Sequence, residues 1–367
     1  MKHDRVQFLW LEPTATQGFR AGVSLHGHTL HSKECLSFLP RYVGYIPGGG
    51  LLLRANARDT DFARAYWTPP LTPASALRLE QEQIESLGLA PIVSLTDHDD
   101  IEAGLSLQVT HRRSEAPVSV EWTLPYDGTI LHLGIHNLPT KFDRAWMAAM
   151  TERTASPSEE LLPAIIHGLS ETPGVLMVLN HLFWLEEGVD SATHAAALKR
   201  FLGVYGRRLH AFELNGTRSW KENRDTVALA EEHRLPVISG GDRHAGEPSA
   251  CINVTSAATF AEFAAEVRDG HSNVVFLPQY REPMATRVAD ATWDILRPYP
   301  EYPGRELWTD RTFYQCQDGV TRPLSAVWSG GVPWLARAGA GLVEVVATRG
   351  MRSALRLVLA NRAGFAL

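Results

Sequence analysis

The stretch "VSLHGHTLHS", Val23 to Ser32, places His26, His28 and His31 directly behind an apolar run. Residues two apart on an extended strand point to one side. His26 and His28 are therefore expected to face one ion together. The far end of the chain repeats the pattern in "VISGGDRH", with Asp242 and His244. Between these two segments nearly every apolar run ends in, or carries, a histidine or an acid. "IVSLTDH" leads to Asp97 and His98, "VSVE" to Glu121, and "TILHLGI" holds His132. "VLMVLNH" leads to His181, and "HAFELNG" holds Glu213 and Asn215. Imidazole with carboxylate suits zinc, iron or manganese, whereas calcium and magnesium prefer oxygen alone. The set is larger than one tetrahedral ion needs. It predicts two or three divalent ions sharing a bridging carboxylate, an arrangement that phosphate-ester hydrolysis uses with ions about 3.5–4 Å apart.

Other chemistries lack their residues. "SGG" and "WSGG" are not a GxSxG elbow. "PGGG" at 47–50 has no Lys-Ser/Thr after it and reads as a flexible loop rather than a phosphate-binding loop. Cys35, Cys251 and Cys316 are scattered, with no CxxC pair, which argues against a disulfide framework. Net charge is −6, so the chain has no basic field for duplex nucleic acid. A small phosphorylated substrate is compatible with that charge, because bound cations would supply the local positive potential. No segment approaches the roughly 18 apolar residues of a membrane span, and the N-terminal run Phe8 to Leu11 is too short for a signal-peptide core. The expectation is a cytoplasmic protein.

The elements that must position these residues alternate. "RAGVSL", "APIVSLTD", "GVLMVLNH", "LHAFELNG" and "LPVISGGD" read as buried strands. "TPASALRLEQEQIESLG" reads as a helix with Thr72 as N-cap, Pro73 at N1 and Gly88 past its end. Further helices are expected near 158–170, 191–203 and 219–233, and Asp99 or Asp100 is expected to cap "DIEAGLSLQ". "VSVEWTL" and "TILHLGIH" flank "PYDG" as a hairpin-like pair. "FAEFAAEVRDG" and "SNVVFLP" make a last helix and strand. Repeated strand–helix units predict parallel α/β architecture, and polar residues gathered at strand ends favour a closed barrel over an open sheet. Residues 39–73 and 280–310 are rich in Gly and Pro and read as an insertion and a boundary or linker. "VPWLARAGAGLVEVVATRG" looks helical in part. His136 reads as a loop residue, and Asp97 as a group that orients His98.

Taken in order, "SLHGHTLHS", "IVSLTDHDDIEAG", "VSVEW", "LHLGI", "LNH", "FELNG" and "SGGDRH" resemble the successive motifs of the PHP (polymerase and histidinol phosphatase) family over roughly residues 20–280. The resemblance implies a distorted seven-stranded (β/α) TIM-like barrel, here over residues 20–285, with an N-terminal extension at 1–19 and a C-terminal extension at 286–367. It implies a metal-dependent phosphoesterase with two or three divalent ions. Carried over by position, His26, His28, Glu121 and Asp242 would hold the first ion. Glu121 would bridge to a second held by His132 and His181. His98 and His244 would hold a third. Glu121, Asp242 and His244 would be the catalytic residues. The family adds a further ligand, Asp or His, shortly after a serine. Here Ser32 is followed by Lys33 and Glu34, so Glu34 would be the ligand by substitution. The last motif also departs, with Gly241 where the family often has Ser, and Arg243 inside it. His31 falls at a variable position of the motif and is not expected to ligate.

The implied reaction is attack of a metal-activated hydroxide on phosphorus in line. Arg218 and Arg243 are expected as phosphate clamps and Asn215 as a substrate contact. The implied substrate is small and phosphorylated, nucleotide-like or a short oligonucleotide. Two other classes share some features. Amidohydrolases also begin with HxH, but usually place a bridging Lys on a middle strand. A degenerate barrel would bind metal without catalysis.

Overall fold

The computed structural model describes residues 5–37, 61–111, 116–158, 160–348 and 350–351. The "PGGG" loop lies outside them. In chain order the strands are β1 (Arg5–Phe8), β2 (Ala21–Leu25), β3 (Glu34–Cys35), β4 (Ala65–Trp67), β5 (Ala90–Ser94), β6 (Val120–Tyr126) and β7 (Thr129–His136). They continue as β8 (Leu176–Leu179), β9 (Ala211–Asn215), β10 (Val237–Gly240), β11 (Cys251–Thr255), β12 (Asn273–Phe276), β13 (Thr312–Gln315) and β14 (Thr321–Pro323). The helices are α1 (Pro73–Ser86), α2 (Glu102–Thr110), α3 (Asp143–Ala155), α4 (Leu161–Glu171) and α5 (Ser191–Tyr205). They are followed by α6 (Trp220–His233), α7 (Phe260–Arg268), α8 (Met284–Leu296), α9 (Leu324–Val327) and α10 (Trp334–Val346). Among the described residues, no helix is long and apolar enough to cross a membrane.

Local chemistry sets several boundaries. Thr72 caps α1 by accepting from the Ser75 N–H, Pro73 follows at N1, and Gly88 takes a left-handed φ of 76° past the end. Ser219 and Glu222 form a capping box on α6. Ahead of α2 it is Asp100 that accepts the Glu102 N–H, at 2.7 Å. Asp99 accepts the Thr123 N–H instead, at 2.9 Å.

The strands form a sheet of order β1-β12-β11-β2-β5, a second of order β10-β9-β8-β7-β6, and a third of order β14-β13-β4-β3. The expected hairpin pair is present as antiparallel β6–β7, and the otherwise parallel expectation is corrected: β7–β8, β11–β2 and β11–β12 also run antiparallel. The reason at β6–β7 is local. Asp127 and Gly128 take φ of 47° and 81°, and this two-residue turn sends the chain straight back.

The two five-stranded sheets meet beside the histidine-rich segments. His98 bridges to Glu121, and Gly27 to Arg243. Backbone bonds reinforce both seams. The Glu121 N–H donates to the Asp97 carbonyl at 3.1 Å, and the His28 N–H to the Arg243 carbonyl at 2.7 Å. β2, β5, β6, β7, β8, β9 and β10 thus follow one another as neighbours, with two seams made of bridges rather than ladders. An apolar cluster of Val23, Leu25, Val178, Ala211 and Ile238 lies between the sheets, with Phe260 and Phe263 of α7 packed on it. Polar residues are thereby left to the strand ends.

The first described strand belongs to the first sheet. β1 pairs in parallel with β12. Residues 280–310, read as a boundary, hold α8 and are packed: Arg287 donates to the Gly216 and Arg218 carbonyls and lies 4.6 Å from the centre of the Tyr280 ring.

One buried ion pair ties α1 to the segment carrying Asp242 and His244. Glu80 of α1 is 1% exposed. It accepts from Arg243 Nε at 2.8 Å, Ser24 Oγ at 2.8 Å and Ser249 Oγ at 3.1 Å. Removing one partner of such a pair leaves an uncompensated buried charge. Glu80→Ala is expected to cost about 3–5 kcal/mol in urea unfolding of the metal-free protein. A loss under about 1 kcal/mol would contradict this role.

Candidate metal centre

The strands deliver the predicted residues to one place. His26 and His28 lie past β2, His98 past β5, His181 past β8, and Asp242 and His244 past β10. Glu34 is on β3, Glu121 on β6 and His132 on β7. The backbone bends to do this. His26, His181 and Asp242 have φ of 59°, 23° and 46°, in a region that non-glycine residues rarely enter and that is enriched at functional sites. This corrects the picture of His26 and His28 on one extended strand. His26 sits past the strand end in a left-handed turn, yet both rings face Glu121, with their centres 5.1 Å apart.

Glu121 is the hub. Its Oε2 lies 2.8 Å from His26 Nε2, 3.3 Å from His28 Nε2 and 3.4 Å from His98 Nε2. Its Oε1 lies 3.0 Å from His181 Nε2 and accepts from Asn180 Nδ2 at 3.0 Å. Among the described residues, three overlapping groups could each hold an ion: His26, His28 and Glu121; Glu121, His132 and His181; and His28, Glu34, His98 and His244. Asp242 borders the first and third, with Oδ1 3.6 Å from His28 Nε2 and 3.8 Å from His26 Nε2. His28 Nε2 is buried without a hydrogen-bond partner among the described residues. A buried imidazole nitrogen is normally satisfied, so a lone pair aimed at Glu121 and Asp242 fits a cation. Lys33 does not intrude: its Nζ lies 5.8 Å over the Tyr66 ring.

A surrounding layer orients these groups. His26 Nδ1 and Glu213 Oε1 are 2.5 Å apart. With the Nδ1–H donated to Glu213, Nε2 is left toward Glu121, the usual way a carboxylate fixes a ligand's tautomer. Ser32 donates to Glu34 Oε1 at 2.6 Å and accepts the His98 N–H at 3.1 Å. Asp97, expected to orient His98, instead accepts the Thr29 N–H and hydroxyl at 2.5 and 2.7 Å, so it fixes the turn after His28. Asn215, expected at the substrate, is buried and donates to Glu213 Oε2 at 3.0 Å and Asp242 Oδ2 at 3.2 Å.

The two arginines separate. The parity that sends Asp242 and His244 toward the centre sends Arg243 away. It is buried, bonded to Glu80 and to the Ala245 carbonyl at 2.9 Å, and unavailable as a phosphate clamp. Arg218 is 21% exposed, lies 3.4 Å from Asp242 Oδ2 and sits 4.2 Å over the Trp184 ring. A small pocket lined by His181, Phe183, Glu213 and Arg218 adjoins it. His136, read as a loop residue, ends β7 on the same face as His132. It is buried against Ser94 Oγ at 2.8 Å, and burial pushes its pKa down to about 3. Asn180, Trp184 and Trp67 went unread, because amide and indole side chains carry no ligand signal of their own.

Burial works against every charge here, and the contacts decide the outcome. Burial would raise Glu121, but His26, His98 and His181 hold it well below the usual carboxylate range. Burial would strip the proton from His26, but Glu121 and Glu213 hold its pKa well above normal. His244 is likewise opposed by burial, yet Glu34 and Asp242 raise it to about 9. His98 is raised by Glu121 and Glu34 against the same burial. Burial, with His244 adding to it, lowers His28 to about 4. Burial also takes His132 well below its ordinary value.

No protein-family profile matches the chain, and no curated protein matches it. Solved structures similar to it include an amidohydrolase from Chromobacterium violaceum, with sulfate bound and no metal. That pairing has a TM-score of 0.37 and 13% identity, and covers 61% of this chain and 88% of the other. A proposed metal-dependent phosphoesterase from Bifidobacterium adolescentis gives a TM-score of 0.31 and 15% identity, covering 49% of this chain and 85% of the other.

The raised histidines fix a direction for metal binding. A ligand histidine must be neutral. Glu34 and Asp242 raise His244 to about 9, so an ion bound there below that pH would displace a proton, and the upward shifts of His26 and His98 act in the same direction. Affinity for Zn²⁺ or Mn²⁺ is expected to rise with pH up to about 9, the value of His244, by about tenfold per pH unit for each proton displaced. Calorimetric titration from pH 6.5 upward measures this. Affinity independent of pH would contradict it.

Proposed function

We propose that this chain is a metal-dependent hydrolase of PHP type that cleaves a phosphate ester. In this reading, β2 and β5 to β10 are the seven strands of a distorted barrel with two bridged seams. The observation that carries the proposal is the trio of overlapping His/carboxylate groups sharing Glu121 and His28, with His28 Nε2 buried and unpartnered among the described residues. Zinc, manganese or iron suits that donor set. Two or three such ions, when bound, would activate water and neutralise charge on a phosphoryl group.

The chain's own residues do the rest. Glu121 holds two ion groups at a fixed spacing by belonging to both. Asp242 touches the first and third groups on one side and Arg218 on the other, so it links the ions to a cation open to solvent. Stacking on Trp184 fixes the guanidinium without consuming its donors, which suits it to an anionic group. Glu121 belongs to two of the three groups, the bridging place that amidohydrolases usually give to a lysine. The proposed substrate is small and phosphorylated, nucleotide-like or a short oligonucleotide, in keeping with the net charge of −6.

Phosphate release from a panel of phosphomonoesters and cyclic esters, with Mn²⁺ or Zn²⁺, tests the proposal. His28→Ala and Asp242→Ala are each expected to lower turnover by on the order of 10³ or more, the scale of losing charge stabilisation in the transition state. Full activity in both variants, or no release from any ester by the metal-loaded protein, would overturn it. Arg218→Ala is expected to lower kcat/KM by roughly 10- to 100-fold, the cost of one charge-assisted hydrogen bond. An unchanged kcat/KM would remove Arg218 from the site.

A further inference from the structure

Glu34 is the one member of the ion groups that is not borne by β2, β5 to β8 or the turns after β2, β5, β8 and β10. It sits on β3, a strand of two residues. A strand that short makes too few pairings to hold itself. Yet the carboxylate is held among three rings. Its oxygens lie 3.3 Å from His244 Nε2, 3.6 Å from His98 Nε2 and 3.7 Å from His28 Nδ1.

The support comes from near the other end of the chain. β3 pairs with β4, Glu34 opposite Trp67 and Cys35 opposite Tyr66. The free edge of β4 pairs with β13, Trp67 opposite Thr312 and Tyr66 opposite Phe313. β14 then pairs with β13. The Tyr66 and Phe313 rings stack across the pair, 5.1 Å apart and 16° from parallel. Arg64 donates to the Cys316 carbonyl at 2.6 Å and lies over the Tyr314 ring. The Thr68 N–H donates to the Arg311 carbonyl at 2.8 Å. Arg311 is itself buried, with its guanidinium spread over the carbonyls of Ile295, Arg297, Arg305 and Glu306. At the inner end, the Trp67 ring lies 5.8 Å from that of His244.

We propose that the C-terminal ribbon β13–β14 is a positioning element for one ion group. By pairing with β4 it fixes β3, and so holds Glu34 in the group with His28, His98 and His244. The inference rests on the metal-dependent reading of the site, and it gives residues 312–323 a part in that site. Because the other two groups contain no residue of this sheet, weakening the ribbon affects one ion selectively.

The test is titration of the full-length, metal-free protein with Zn²⁺ alone. Glu34→Gln identifies the equivalent that depends on this group. Phe313→Ser is expected to weaken that same equivalent by about 10- to 100-fold, the usual scale for residues that orient a ligand, and to leave the others unchanged. Phe313→Tyr keeps the ring and is expected to bind as wild type. In the Glu34→Gln background, Phe313→Ser is expected to add no further loss. If Phe313→Ser does not fold, Arg64→Met weakens the same pairing from a partly exposed position. Variants that lose thermal stability but bind every equivalent at wild-type affinity would overturn the proposal, as would equal weakening of all equivalents. If Glu34→Gln changes no equivalent, the inference falls, while phosphate release by the wild type would leave the hydrolase reading standing.

Discussion

Glu121 is a fully buried carboxylate with four histidine ring nitrogens within 3.4 Å of its oxygens. Taking such a charge out of water costs several kcal/mol unless it is matched by opposite charge and hydrogen bonds. The rest of the site answers that demand. Asn180 fills one direction of Oε1, and His26 is pinned from behind by Glu213. The buried acids in turn raise His26, His98 and His244 above the ordinary imidazole value, which favours their protonated, charge-balancing forms. In the proposed metal-bound state, the same nitrogens would be ligands and those protons would leave. The same residues that balance charge in the empty fold are the ones proposed to receive the ions.

The strand arrangement serves this point. Two sheets touch where His98 bridges to Glu121 and Gly27 to Arg243. The contact falls at the ends of β2 and β5, where the chain turns and apolar packing gives way to polar side chains. The left-handed φ at His26 and Asp242 is supported from both sides of this seam. Gly241 N–H donates to the Leu25 carbonyl at 2.8 Å, and Glu80 and Ser249 hold the segment beyond. Strain at two candidate ligands is thus balanced by hydrogen bonds in their immediate surroundings.

Much of this was legible in the sequence because strand ends announce themselves: an apolar run followed by His, Asp or Glu marks both the element and the side chain. The helix cap at Thr72 was readable for the same local reason. What stayed hidden depends on distance or direction. Arg243 sits inside a ligand motif, but its side chain points to Glu80, 163 residues away. Asp97 neighbours His98 yet bonds to Thr29. Most of all, β3 and β4 are too short to show a period, and their partner β13 lies more than 240 residues along the chain. No local pattern foretells that the support of Glu34 comes from there.

The central claim is that Glu121 belongs to two ion groups at once. The most direct measurement is the number of Zn²⁺ or Mn²⁺ equivalents retained after dialysis by wild-type protein and by Glu121→Gln. The account predicts two or three equivalents in the wild type, and loss of at least two in the folded variant. A folded variant that retains the wild-type number, or loses only one, would contradict it.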